Sequence, residues 1–280
     1  MLPDMLPEAS KNNNPLLTRV VIPGETFTLP SRGLFYKDNE LTPNVANGEI
    51  QVYPLTLIDE ITLKSPDRLF SGDGIKEVFH KCIPDVLKPM ELLSKDVDFL
   101  MACLRKVSFG PKIEIKVKHD CEHAAYHTYD INIAAMVSAA IKLDPTQVES
   151  DFKLSMPNGQ VIHLQPSKFG ESITTFHKSI EKKNATTEEP ADPSIAEKME
   201  ETDYKDSLLS FISHVDDISD KEMISQWLSI IPTGWIRNEI LPHITKLNDF
   251  GINFEAPYVC LDCQETSKEQ INLNPMYFFS

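Results

Sequence analysis

The cysteines and the histidines near them constrain the fold of this chain more than any other feature. Cys260 and Cys263 form a Cys-x-x-Cys turn between two short stretches that predict strands. A tetrahedral Zn²⁺ site needs four ligands, and this turn supplies only two of them. Cys121 lies far earlier, in the turn of another predicted hairpin, and three histidines lie close to it: His119, His123 and His127. The sequence therefore predicts one structural zinc that joins two distant parts of the chain, with Cys121, His123, Cys260 and Cys263 as ligands.

Two other interpretations of the Cys-x-x-Cys turn stay open. The cysteines could pack without a metal, or they could form a redox pair. The redox interpretation is less favoured, because no predicted helix N-terminus lies beside the turn to lower a thiol pKa. Cys82 and Cys103 lie on apolar helix stripes and are predicted to be core residues. Five cysteines, an odd number, do not form a disulfide framework, so they indicate a reducing compartment.

Charge and hydropathy exclude several classes of protein. The chain has 280 residues, with 42 Asp and Glu against 27 Lys and Arg, which gives a formal net charge of −15. General nucleic-acid binders and polybasic membrane-surface proteins need a basic surplus, so neither class fits. We also expect no transmembrane span and no signal peptide, since the chain lacks a long apolar stretch and its first residues lack a basic, then apolar, pattern.

Alternation and helical spacing predict a mixed fold. Lys112–Lys118 alternates apolar and polar side chains, and Tyr126–Ile133 does the same beyond a short connection, so the two predict a β-hairpin. Asn158 and Gly159 predict the turn of another hairpin. Ser94 begins a predicted helix with one apolar stripe, and a longer helical run is predicted over 195–214. The predicted fold class is α+β.

The predicted organisation has five parts. They are a flexible arm (1–17), an α+β domain of N-terminal strands and a helical bundle (18–133), a β-hairpin with a helix and linker (134–190), an acidic helical subdomain (191–250), and a zinc-ribbon-like Cys-x-x-Cys hairpin with an aromatic tail (251–280). Residues 171–222 hold 14 acidic and 6 basic side chains, which is −8 of the total −15. This segment is interpreted as helix faces that meet solvent or a basic partner.

Enzyme motifs are missing from the sequence. It holds no glycine-rich phosphate loop, no Gly-x-Ser-x-Gly, no His-Glu-x-x-His and no pair of carboxylates in a recognisable catalytic frame. We therefore predict no catalytic residues and no enzymatic activity.

The order and spacing of several short segments resemble one known family. They are Leu29–Tyr36 (LPSRGLFY), the Gly48–Leu55 strand, Asp59-Glu60, Leu69–Ile75 (LFSGDGI), His80–Ile83, Asp96–Leu100, Leu104–Gly110, and a terminal Cys-x-x-Cys hairpin followed by Pro275 and Phe278-Phe279. This pattern is similar to the baseplate protein family of T-even-like contractile-tailed bacteriophages, which includes the baseplate hub assembly protein. The resemblance covers about 29–133 and 250–280.

The resemblance implies a structural or assembly protein of the baseplate hub. Such a protein acts in the host cytoplasm during tail assembly or in the virion tail, and its partners are other baseplate or hub subunits or further copies of itself. Contacts are expected in three places: the N-terminal arm, the Pro30–Tyr36 loop and the Tyr277–Phe279 tail. In the loop and the tail, the residues expected to make them are Pro30, Phe35, Tyr36, Tyr277, Phe278 and Phe279. Local packing is an equally good explanation of these residues.

The resemblance also bears on the metal site and on the alternatives. In family members, the earlier of the two cysteine turns often has the pattern Cys-x-x-Cys. Here Ala124 lies three positions after Cys121, where a second cysteine would be, so a histidine must be the fourth ligand. A zinc-ribbon interaction or nucleic-acid-binding module is the alternative function. It is opposed by the acidic residues around the later cysteine turn, Glu255, Asp262 and Glu265.

Overall fold

The structure is a computed structural model that describes residues 23–121, 125–146, 148, 152–185 and 204–279. The predicted arm over 1–17 and most of the predicted linker lie outside these residues. The described part is a mixed α+β fold, as predicted, with small antiparallel sheets rather than one large sheet. The tertiary packing of helices and hairpins therefore holds these sheets in place, because an isolated two-stranded sheet is only marginally stable.

The strands pair mostly as sequence neighbours. They are β1 (Glu25–Thr28), β2 (Glu49–Val52), β3 (Lys112–Lys118), β4 (Tyr126–Asn132), β5 (Lys153–Ser155), β6 (Val161–Leu164), β7 (Ile212–Val215), β8 (Glu255–Val259) and β9 (Thr266–Gln270). The pairs are β1–β2, β3–β4 and β8–β9, and β6 lies between β5 and β7 in a three-stranded sheet. Both hairpins predicted from alternation and from Asn158-Gly159 are confirmed.

The helices lie between these hairpins. They are α1 (Leu57–Leu63), α2 (Pro66–Phe70), α3 (Asp73–Cys82), α4 (Ser94–Phe109), α5 (Ile133–Ser138), α6 (Phe169–Ala185), α7 (204–210), α8 (Lys221–Ile230), α9 (Leu241–Leu247) and α10 (Pro275–Phe278). A short turn, Thr233–Trp235, and a π-helical segment, Ile236–Ile240, run directly into α9.

The predicted helical run over 195–214 is wrong at its C-terminal end. Residues Ile212–Val215 form β7, which pairs with β6 and places His214 opposite His163. Ile212 and Val215 are buried against the neighbouring sheet and helices. The gain from burying these side chains on a sheet outweighs local helix propensity, which is a weak preference that tertiary packing overrides.

The first of two hydrophobic cores is built around α4. Leu100, Ala102, Cys103 and Leu104 are fully buried there, and side chains from β1, β2 and α3 pack around them. The burial of Cys103, and of Cys82 on α3, confirms that both are core residues. The chain returns to this core at its other end, through Ile252, Phe254, Phe278 and Phe279.

The second core lies under the three-stranded sheet. Phe152, Met156 and Ile162 pack there with residues from the helices that follow, among them Leu208, Ile224, Leu228, Ile240 and Ile244. Two stretches that the sequence assigned to different parts, 134–190 and 191–250, thus contribute to one core. The domain boundaries stay a prediction.

A buried carboxylate on α4 holds the Pro30–Tyr36 loop. Oδ1 of Asp96 accepts the backbone N–H of Ser31 at 3.1 Å, and Oδ2 accepts the hydroxyl of Tyr36 at 2.7 Å and the hydroxyl of Ser31. The Tyr36 oxygen in turn accepts the backbone N–H of Leu93 at 3.0 Å. Asp96 is fully buried, so these bonds replace the water that the carboxylate lost on folding.

This loop has a strained backbone. Arg32 and Phe35 have positive φ angles of 55° and 69°, a region that is uncommon for residues other than glycine. Gly48 lies against the loop so closely that a Cβ there would meet the Arg32 backbone at 2.6 Å. The loop is therefore held in shape by the Asp96 bonds on one side and by a glycine on the other.

We predict that Tyr36→Phe destabilises the fold by about 1–3 kcal/mol, because it removes a donor to Asp96 and leaves the Leu93 N–H without an acceptor. Urea unfolding followed by circular dichroism measures this change. The matched control is Tyr277→Phe, at an exposed tyrosine, which should change the free energy of unfolding by less than about 0.5 kcal/mol. Equal effects of the two substitutions would contradict the role given to Tyr36.

We also predict a pH dependence that comes from Asp96. Burial raises its pKa to about 6, although the bonds from Ser31 and Tyr36 favour the carboxylate. The folded chain therefore takes up this proton at higher pH than the unfolded chain, whose pKa is near 3.9. The stabilisation from this protonation is fully present below about pH 4 and is lost as the pH rises through about 6.

The comparison with Asp96→Asn isolates this effect, since asparagine does not titrate. Relative to that variant, the wild type should lose about 1 kcal/mol of its free energy of unfolding between pH 5 and pH 7. Asp217→Asn, at an exposed carboxylate, is the control and should follow the wild type. A difference between wild type and Asp96→Asn that does not change with pH would show that Asp96 keeps the same charge over this range.

Candidate metal centre

Two hairpins lie together and bring their turns to one place. The two hairpins are β3–β4 and β8–β9. Along β3, β4 and β8, buried or half-buried side chains alternate with exposed ones. Tyr129 of β4 and Tyr258 of β8 are in ring contact, with centroids 4.9 Å apart. The Tyr129 hydroxyl also accepts the backbone N–H of Leu261 at 3.3 Å. The tyrosine contacts therefore align the turn after β8 with the turn after β3.

The aligned turns bring together three cysteines and one histidine. One ligand atom each from His119, Cys121, Cys260 and Cys263 lies within 4.8 Å of the others. Cys260 is buried, His119 and Cys121 are half-buried, and Cys263 is exposed at the edge. The three cysteines that the sequence predicted as ligands of one site are far apart along the chain, and the structure brings them together.

Among the described histidines, His119 is the one in this cluster. The predicted ligand His123 lies outside the described residues. His127 is bonded elsewhere, with Nε2 at 2.7 Å from Oδ2 of Asp262. His119 directly follows the end of β3, so the strand itself delivers its ring to the cluster.

The backbone of the Cys260–Cys263 turn favours a thiolate at Cys260. The N–H groups of Cys263 and Asp262 donate to the Cys260 sulfur and lower the pKa of this thiol to about 7. The turn that aims these groups is closed by a 2.9 Å bond from the Cys260 N–H to the Glu265 carbonyl, with Gln264 in a left-handed conformation. Metal-binding cysteines need this help, because the thiolate and not the thiol is the ligand.

The donor set and its spacing fit a zinc ion. Three thiolates and one imidazole are soft ligands of the type found in closed structural zinc sites. Tetrahedral Zn–S and Zn–N bonds place the sulfur and nitrogen about 3.6 Å apart, and Sγ of Cys263 lies 3.4 Å from Nδ1 of His119. The other ring nitrogen, Nε2, faces a carboxylate oxygen of Glu265 at 3.9 Å, where an outer-sphere partner orients a ligating imidazole.

The residues predicted to make partner contacts are mostly occupied within the chain. Phe35 packs on Phe152 with ring centroids 4.6 Å apart, and Tyr36 bonds to Asp96. Three others are buried, two of them completely: Pro30, Phe278 and Phe279. Among these six, Tyr277 is the exposed one. Partner contact through the other five stays a prediction, and local packing explains their positions.

Comparison with known proteins identifies a family. The family model described as T4 bacteriophage base plate protein matches residues 39–266. That range includes the whole Cys/His cluster and the middle of the chain, which the sequence resemblance had left unmatched. Neither the curated proteins nor the solved structures yield a match. In the described part of the chain, no helix is both long enough and apolar enough to cross a bilayer.

Proposed function

The chain belongs to the T4 bacteriophage base plate protein family, and from this membership we propose that it acts at the baseplate hub of a contractile tail. A baseplate protein of this family is a structural subunit, and its partners are other baseplate proteins. The finer proposal is that this chain builds or loads the hub through protein–protein contacts during tail assembly. It would act first in the host cytoplasm and then in the tail, with further copies of itself as possible neighbours.

The observation that carries this proposal is the family match over 39–266. Two further features support it. The sequence lacks recognisable enzyme motifs, and the buried carboxylate Asp96 is bonded to Ser31 and Tyr36 of a neighbouring loop. The order of LPSRGLFY and the later segments resembles the hub assembly type in particular, which is the basis for placing the chain at the hub.

We predict that an infection without this chain produces heads but few or no complete baseplates. The reason is that a hub subunit or hub-assembly factor is needed before the rest of the baseplate can close around it. Negative-stain microscopy of the lysate counts the complete baseplates, and supplying the chain in trans should restore them. Normal numbers of baseplates without the chain would contradict the proposal. Peptide mass spectrometry of purified virions then separates a retained subunit from an assembly factor.

We further propose that His119, Cys121, Cys260 and Cys263 hold one structural zinc ion. The supporting observation is that their ligand atoms lie within 4.8 Å of one another. The bound ion would join the turns of two hairpins that are far apart in sequence, and its binding free energy would contribute to folding. This role needs no open coordination position, so it accounts for a cluster made of four protein ligands.

The purified chain should contain about one zinc per molecule, measured by inductively coupled plasma mass spectrometry. Cys263→Ser and His119→Ala should each lose the zinc and lower the melting temperature, because a three-ligand site binds more weakly and the hairpin turns lose their link. His80→Ala, at an exposed histidine on α3, is the control and should keep both.

Other outcomes are equally informative. Zinc retained in His119→Ala but lost in His123→Ala would move the fourth ligand to His123. A fully folded wild type without zinc would remove the metal proposal and leave a knuckle in which the cysteines only pack.

A further inference from the structure

Helix α1 exposes three of its four aliphatic side chains and buries one of its two carboxylates; the fourth aliphatic side chain, Leu63, is fully buried. Leu57, Ile58 and Ile61 are 73%, 66% and 62% exposed, whereas Asp59 is 2% exposed. A surface helix ordinarily does the reverse, because burying aliphatic groups is favourable and burying a carboxylate is costly. The arrangement needs an explanation on both faces.

The inner face is held by bonds that only the carboxylate can make. Asp59 accepts the backbone N–H of Thr56 at 3.0 Å and its hydroxyl at 2.6 Å, which closes a capping box at the start of α1. It also accepts Nζ of Lys81, on α3, at 3.0 Å. Rotating the helix to bury the exposed aliphatic side chains would break the bond to Lys81 and would expose Leu63, so the apolar face is fixed outward.

An ion pair borders the apolar face. Glu60 lies beside it on α1 and bonds to Lys64 at 2.7 Å, one turn later. The two charges of this pair cancel, so the pair adds no net charge at the edge of the face. The partner that fits it is an uncharged aliphatic patch, which gains free energy as both sides leave water.

The area of the face is small for a stable interface on its own. Three side chains exposed to this extent present on the order of 400 Å² of apolar surface. A stable specific interface buries roughly 800 Å² on each partner, so α1 alone does not hold a symmetric dimer. Two copies would also each bring a net charge of −15 to the contact, which opposes self-association.

We propose that Leu57, Ile58 and Ile61 form a docking face for a different baseplate subunit that presents an uncharged aliphatic patch. This inference rests on the proposed function, since an assembly supplies the additional contacts that a small face requires. The face is one contact among several in the baseplate, and it sits on a helix whose orientation is set before the partner arrives.

The experiment replaces the face without removing the helix. Ile58→Gln with Ile61→Gln keeps good helix formers at exposed positions, so the melting temperature should stay within a few degrees of wild type. In an infection that lacks the native chain, complementation with this variant should yield at least tenfold fewer complete baseplates than complementation with wild type. Ile230→Gln is the matched control, at an isoleucine on α8 that is 81% exposed, and should complement fully.

Each outcome has one meaning. Full complementation by the double variant, with wild type also active, overturns the docking face and leaves the proposed function intact. If the wild-type chain is not needed for baseplates at all, the proposed function fails first. Sedimentation that shows a wild-type dimer, broken by the double variant, would assign the face to a second copy. Faster hydrogen exchange in α1 after deletion of residues 1–22 would assign it to the chain's own N-terminal segment. Either assignment overturns the proposal.

Discussion

The carboxylate of Asp96 is the interaction on which the arrangement of the two cores depends. It lies inside the first core, on α4, yet its bonds reach out to Ser31 and Tyr36 of the Pro30–Tyr36 loop. A buried carboxylate is tolerated only where donors satisfy it, so the loop and the helix require each other. The same loop carries Phe35, which packs on Phe152 of the second core. The backbone carbonyl of Pro30 also accepts the N–H of Leu143 at 2.9 Å. A single buried group thus orders one of the segments through which the first core contacts the second.

The C-terminal residues form a second set of long-range contacts. Phe278 and Phe279 fill the first core, and the carbonyl of Phe278 accepts Nε of Arg105 from α4 at 2.9 Å. On the way to this core the chain forms β8–β9, whose turn meets the turn after β3 at the Cys/His cluster. The buried phenylalanines and the Cys/His cluster therefore both lie where the C-terminal part of the chain meets earlier parts. A zinc ion at the cluster would strengthen an alignment that Tyr129 and Tyr258 already provide.

Two buried carboxylates hold local segments in place. Asp59 bonds from α1 to Lys81 on α3, and Asp96 holds the Pro30–Tyr36 loop. In α1, polarity and position are mismatched, since Leu57, Ile58 and Ile61 point to solvent while Asp59 is buried. The docking role proposed for this face rests on its fixed orientation.

Much of this was readable from the sequence, because it depends on local pattern. Alternation predicted β3 and β4, Asn158-Gly159 predicted the second hairpin, and the apolar stripe predicted α4 and the burial of Cys103. The spacing of short segments also indicated the family, and the cysteines indicated which two turns meet. Tertiary structure decided what pattern cannot encode. It converted Ile212–Val215 from helix to strand, because a neighbouring sheet edge was there to bury them. It brought His119 into the cluster and placed Phe278 and Phe279 in the core. It also turned Leu57, Ile58 and Ile61 outward, because the bond of Asp59 to Lys81 and the burial of Leu63 hold the opposite face of the helix inward. Hydrophobic spacing predicts that a helix has an apolar face, whereas long-range contacts decide which way that face points.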